Sequence, residues 1–114
     1  MITLYHNPRC SKSREALALL QAKGIEPEIV LYLENPPSAK ALKALLVLLN
    51  ISARQLLRKT ESTYKELNLA DEQLTEPALI KIMLANPKLI ERPIAINGSK
   101  AVIGRPPENV LTII

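Results

Sequence analysis

A chain of 114 residues has room for one domain, and such a domain buries about two thirds of its unfolded surface with no metal or disulfide staple. Its 47% hydrophobic and 23% charged residues exclude a disordered chain, and with no Trp or Phe and three Tyr the core must be built from Leu, Ile, Val and Ala. The formal charge of +4 is spread thinly, with no basic run to argue for nucleic acid.

No stretch approaches the roughly 18 apolar residues of a membrane span, and Met1 to Tyr5 lacks the basic-then-apolar pattern of an export signal. A single cysteine forms no internal disulfide. Together these features lead us to expect a cytoplasmic protein in a reducing compartment.

Ile2 to Tyr5 read as a short buried strand, followed by a polar loop and a helix over Arg14 to Lys23 with Ala16, Leu17 and Leu20 on one face and Gly24 as its stop. Glu28 to Leu33 is strand-like in composition, and Asn35-Pro36-Pro37 breaks it before Ser38 caps a helix with Leu42, Leu45, Leu46 and Leu49 inward. The pattern stays helical but interrupted through Ser52–Leu57, Tyr64–Leu67 and a Thr75-capped helix with Pro77 in its first turn and Leu79, Ile80, Met83 and Leu84 inside. Asn86-Pro87 ends it. Ile94–Ile96 and Ala101–Ile103 flank Asn97-Gly98 as a hairpin, and Pro106-Pro107-Glu108 opens a last helix that should bury Val110, Leu111 and Ile114. The order β-α-β, helices, β-β-α predicts an α/β domain with a mixed sheet: strands 1 and 2 parallel through a crossover, the hairpin antiparallel.

The chemistry concentrates in Tyr5-His6-Asn7-Pro8-Arg9-Cys10-Ser11-Lys12-Ser13-Arg14, which holds the only cysteine and the only histidine. Cys10 falls in the turn that enters the first helix, where unpaired N–H groups carry partial positive charge, and Arg9, Lys12 and Arg14 lie nearby. Helix N-termini and cationic neighbours lower a thiol pKa from about 8.5 to roughly 3.5–7.5, and the same N–H groups cradle an oxyanion. A lone cysteine is more often a small buried apolar residue, but the polar flanks here favour a nucleophile. One histidine and one cysteine make a poor metal site, so no metal is expected; His6 either shifts the thiol's proton equilibrium or fixes the loop. Arg58, Arg92 and Arg105 are further candidates, the last two each held by a following proline, whereas Arg9 and Arg54 read as solvated surface charges.

His6-Asn7-Pro8-Arg9-Cys10-Ser11-Lys12-Ser13-Arg14 resembles the H-x₃-C-x₃-R loop of the glutaredoxin-dependent arsenate reductase family. Leu31–Ser38, Leu56–Lys59, Glu91–Ile94 and Gly104–Pro106 resemble family segments in the same order, so the likeness, closest to the short chromosomally encoded members, runs through the whole chain. The resemblance implies a thioredoxin-like fold, a single domain over 1–114 with a helical insertion at about 36–87. It implies Cys10 as the nucleophile toward arsenate, and Arg58, Arg92 and Arg105 as the residues that bind and polarise the oxyanion with help from Ser11 and Lys12. His6, Ser13 and Arg14 match residues that support the thiolate and its loop, and Pro93 matches the fold's cis-proline. Ser11-Lys12 stands where the best-known of these enzymes carry Gly-Thr.

The implied reaction makes a Cys10 thiolate–arsenate adduct, uses glutathione as co-substrate with no bound cofactor, and needs glutaredoxin because no second cysteine resolves the mixed disulfide. Two other readings remain: a redox-responsive regulator of the Spx type binding RNA polymerase, for which Ser13 removes the usual C-x-x-C switch, and a general glutathione-dependent thiol transferase, which needs no arginine triad.

Overall fold

The computed structural model describes residues 1–114, which divide into two compact units, one of residues 1–35 and 92–114 and one of residues 36–91. The first unit contains β1 (Ile2–Tyr5), α1 (Ser11–Ala22), β2 (Glu28–Val30), β3 (Ile94–Asn97), β4 (Lys100–Ile103) and a terminal 3₁₀ helix, Pro107–Ile113. The sheet order is β2-β1-β3-β4, with β1 parallel to β2 and antiparallel to β3, and β3 antiparallel to β4. It is the mixed sheet that the element order predicts.

The core of this unit is aliphatic. Ile2 and Leu4 from β1, Ala16 and Leu20 from α1, Ala95 from β3, and Val110 and Ile113 from the 3₁₀ helix form one buried cluster. At about 25 cal/mol per Å² of apolar surface, this aliphatic cluster drives the fold without Trp or Phe. Tyr5 and Tyr32 stack with centroids 6.4 Å apart.

Four sequence expectations are corrected. Helix α1 begins at Ser11 rather than Arg14, because its buried stripe starts on a serine: Ser13, Ala16 and Leu20 share the inner face. Strand β2 ends at Val30 rather than Leu33, since the N–H groups of Glu34 and Asn35 both bond the Leu31 carbonyl and wind the chain into a turn that buries Tyr32 completely. The hairpin loop is Gly98-Ser99, as Asn97 pairs with Lys100 while its side-chain amide donates to the Ile113 carbonyl at 2.6 Å. Finally, the last helix is 3₁₀, so its three-residue repeat buries Val110 and Ile113 and leaves Ile114 at 52% exposure.

The second unit contains α2 (Ala39–Leu49), α3 (Ala53–Leu56), α4 (Ser62–Glu66), α5 (Glu76–Ala85) and a 3₁₀ turn, Pro87–Leu89. Ser38 caps α2, Ser52 and Gln55 close a reciprocal capping box on α3, and Thr75 caps α5. The Glu76 carboxylate accepts the Ala53 N–H through both oxygens, at 2.9 and 3.1 Å. Arg54 is not a solvated charge: it donates to the carbonyls of Leu69 at 2.7 Å and Asp71 at 2.9 Å, fastening the loop after α4. A bridge between Leu57 and Ile90, flanked by bonds from Arg58 N–H to Leu89 O and from Glu91 N–H to Leu56 O, sets Arg58 beside Glu91.

Both Arg92–Pro93 and Arg105–Pro106 are cis peptides. Gly104 is needed between them for closeness, not for backbone freedom. A Cβ at this position would lie 2.8 Å from Pro93 Cγ and 3.1 Å from Val110 Cγ1, and a proline ring cannot rotate aside. Gly104→Ala should therefore destabilise the protein by about 1–3 kcal/mol, the usual range for overpacking. Urea unfolding measures this directly, and an unchanged midpoint would show that the contact yields freely.

Candidate active site

The β1 strand delivers His6 to the start of a loop that the chain stitches to itself. Asn7 Oδ1 accepts the Arg9 N–H at 3.0 Å, the Cys10 N–H donates to the Asn7 carbonyl at 3.0 Å, and Arg14 Nη1 reaches back to the Pro8 carbonyl at 3.0 Å. Ser13 closes the loop from inside the helix. Its hydroxyl accepts the Asn7 N–H at 3.0 Å and lies 2.6 Å from His6 Nδ1. With Asn7 donating to that oxygen, the hydroxyl proton is free for Nδ1, an arrangement that suits a neutral ring carrying its proton on Nε2. Burial lowers the His6 pKa and the Arg14 charge lowers it further, so the ring is neutral at pH 7. Of the two roles open for His6, its contacts support fixing the loop.

Cys10 is the N-cap of α1, extended at φ −94°, ψ 123°, and partly exposed. Burial raises its pKa, but the Ser13 N–H, the Arg92 guanidinium and the Lys12 N–H together outweigh that, and the thiol titrates below its ordinary value. Arg105 Nη2 lies 3.6 Å from the sulfur, and its Nε donates to the Arg92 carbonyl at 2.8 Å. Two arginines from the two ends of the hairpin thus face one thiolate, and one braces the backbone of the other. The sulfur is partly exposed in electropositive surroundings.

The remaining sequence candidates are placed as follows. Ser11 and Lys12 are exposed on the first turn of α1, and Lys12 Nζ is 3.7 Å from Glu15. Arg58 belongs to the second unit, where Nη1 donates to Glu91 Oε1 at 3.0 Å, Nη2 approaches Thr60 Oγ1 at 3.4 Å and Nε lies 4.0 Å from a Glu61 oxygen. The residues carry no group of three or more metal-ligating side chains. Sequence reasoning expected unpaired helix N–H groups at Cys10, which the structure identifies as those of Ser13 and Lys12, and it missed Gly104, which packs on Pro93, and Glu91, which pairs with Arg58. The N-cap position of Cys10 was the available signal for the amides, while Gly104 and Glu91 declare themselves only through contacts.

Comparison with known proteins fits this geometry. The ArsC family model matches residues 5–113. The chain belongs to the ArsC family. It is 60% identical over 99% of its length to the uncharacterized protein YfgD of Escherichia coli K12, covering 96% of that protein. It is 50% identical over 99% of its length to an arsenate reductase of Haemophilus influenzae, covering 98% of it. The solved structure of an arsenate reductase from Vibrio cholerae superposes with a TM-score of 0.96 at 51% identity, covering 99% of this chain and 97% of that one. The fold of this ArsC family member is thioredoxin-like. No helix is long and apolar enough to cross a membrane.

The charge balance at the sulfur gives a direct test. In this ArsC family chain, thiolate absorbance should titrate below that of an ordinary thiol, and Arg92→Ala should move the midpoint upward. Ultraviolet titration of both proteins checks it; coincident curves would remove Arg92 from the stabilisation of the thiolate.

Proposed function

We propose that this chain is a glutathione- and glutaredoxin-dependent arsenate reductase of the cytoplasm, with Cys10 as nucleophile. The observation that carries the reading is the Cys10 sulfur at the head of α1, its pKa lowered by Arg92 and its Sγ within 3.6 Å of Arg105. Arginine is suited to this work because its planar fork offers several donors to the oxygens of a tetrahedral anion and keeps its charge at any working pH.

The sulfur of Cys10 attacks arsenic(V) and one arsenate oxygen departs as water, leaving a Cys10–S–As(V) bond. Arg92 and Arg105, joined by Arg58 in the role the family resemblance implies for it, neutralise the oxyanion as charge develops on it. Exposed Ser11 and Lys12 at the first turn of α1 add donors for the same anion. Glutathione sulfur then bonds to Cys10 sulfur while the S–As bond breaks and its electron pair stays on arsenic. Arsenic(V) leaves as arsenic(III), the two sulfurs have given up two electrons as a disulfide, and the glutathione thiol proton passes to the released arsenite. Glutaredoxin thiolate exchanges with the Cys10–glutathione disulfide and restores the thiol. One domain with a helical insertion is the architecture that goes with this reading.

Purified protein with glutathione, glutaredoxin, glutathione reductase and NADPH should consume NADPH when arsenate is added, and Cys10→Ser should abolish that consumption. Arg92→Ala and Arg105→Ala should each weaken arsenate binding more than tenfold, about 1.4 kcal/mol or more. Lack of turnover by the intact protein with every partner present would overturn the assignment, and equal arsenate affinity in the arginine variants would overturn their role.

A further inference from the structure

Adjacent parallel strands in an α/β sheet open a crevice beyond their carboxyl ends where connections diverge, and ligands bind there. Strands β1 and β2 are such a pair, in register through Tyr5 and Val30 and joined once more by His6 N–H to Val30 O at 3.0 Å. Past that bond the chains part, β1 into the Cys10 loop and β2 into the turn closed on the Leu31 carbonyl. Between them lies a cleft of about 310 Å³, large enough for a small peptide. His6, Asn7, Pro8 and Arg9 form one wall, and Leu31, Leu33 and Glu34 form the other.

The chemistry of these walls is selective. Pro8, Leu31 and Leu33 give an apolar surface, with Leu33 left 38% exposed. At the rim stand one cation and one anion, Arg9 and Glu34, both exposed and neither in an ion pair. Their placement relative to the nucleophile follows from the sheet order. Strand β1 runs between β2 and β3, and Arg92 sits just ahead of β3. The anion-binding arginine therefore comes to Cys10 from the β3 side, and the cleft opens on the β2 side, against the residues that lead directly into Cys10.

We infer that this cleft seats the thiol reductant, a small zwitterionic peptide thiol whose carboxylate meets Arg9 and whose ammonium meets Glu34, so that the two reactants reach Cys10 from opposite flanks. The inference rests on the reading that an external thiol discharges Cys10. Glutathione has the required groups, whereas 2-mercaptoethanol has the sulfur alone.

The test separates this inference from the arsenate reading by using disulfide exchange, which needs no arsenate. Cys10 thiolate attacks oxidised glutathione, forming the Cys10–glutathione disulfide and releasing one glutathione thiolate; hydroxyethyl disulfide reacts in the same way without charged groups. The quantity to measure by mass spectrometry is the ratio of the two rates in about 0.15 M salt, where the Debye length is about 8 Å. Arg9→Glu and Glu34→Lys should each lower the glutathione-to-hydroxyethyl ratio at least fivefold, while Lys100→Glu, a charge reversal at the exposed first residue of β4, should not. An unchanged ratio in Arg9→Glu and Glu34→Lys would overturn the inference. So would an equal fall in Lys100→Glu, which would mean that net charge alone sets the preference. If arsenate turnover were absent but the ratio still fell in the two cleft variants, the cleft assignment would stand and the choice of oxyanion would fail.

Discussion

The antiparallel pairing of Tyr5 with Ile94 is the contact on which the candidate site depends. It fixes where β1 ends and β3 begins, so residues 6–10 leave the sheet beside Arg92 and Pro93. A one-residue slip would turn every side chain of β3 to the other face, taking Ala95 out of the core and moving Arg92 along the strand. The hairpin then returns β4 so that Gly104 N–H donates to the Pro93 carbonyl at 2.8 Å, and Arg105 is the next residue along the chain. The arginines are thus placed by sheet register and need no flexible search.

Around the sulfur, opposing effects decide the outcome. Burial alone pushes the Cys10 pKa up. Two backbone N–H groups and the Arg92 guanidinium reverse that, the amides set by the first turn of α1 and the Arg92 backbone braced by Arg105 Nε at its carbonyl. His6 acts at one remove. Its neutral ring and Ser13 hold the loop in the shape that aims those amides, a duty in which a protonated imidazole would add a buried positive charge beside Arg14.

Much of this was legible in the sequence, and what was not had physical reasons. The β-α-β and β-β-α order, the polar loop around Cys10 and the caps at Ser38 and Thr75 follow from local patterns that the chain obeys. Glu28 to Leu33 misled because Tyr32 and Leu33 have strand-like chemistry while the Leu31 carbonyl gathers two N–H bonds into a turn. The buried stripe of α1 escaped notice at its start because Ser13 is polar yet fully buried, bonded to both His6 and Asn7. Arg54 looked like a surface charge because its two carbonyl partners lie 15 and 17 residues away, beyond any local pattern. The proximity of Arg105 to Cys10 has the same character: residues 95 apart along the chain meet at 3.6 Å.

A solitary cysteine shapes the rest of the site by what it forbids. A protein with a resolving thiol of its own can close a disulfide internally and shield it from solvent. Among these 114 residues no second thiol can pair with Cys10, and on the proposed reading its thiolate has to be both charged enough to attack and open enough to be reached. Those demands conflict, since the neighbours that stabilise a thiolate also crowd it, and a stabilised thiolate is a weaker nucleophile. The sheet order resolves the conflict by dividing the surroundings of Cys10: Arg92 and Arg105 occupy the β3 and β4 side, while the β2 side keeps a cleft of about 310 Å³ against the loop. The groups that stabilise the charge and the cleft proposed to seat the thiol thus lie toward different strands of one sheet.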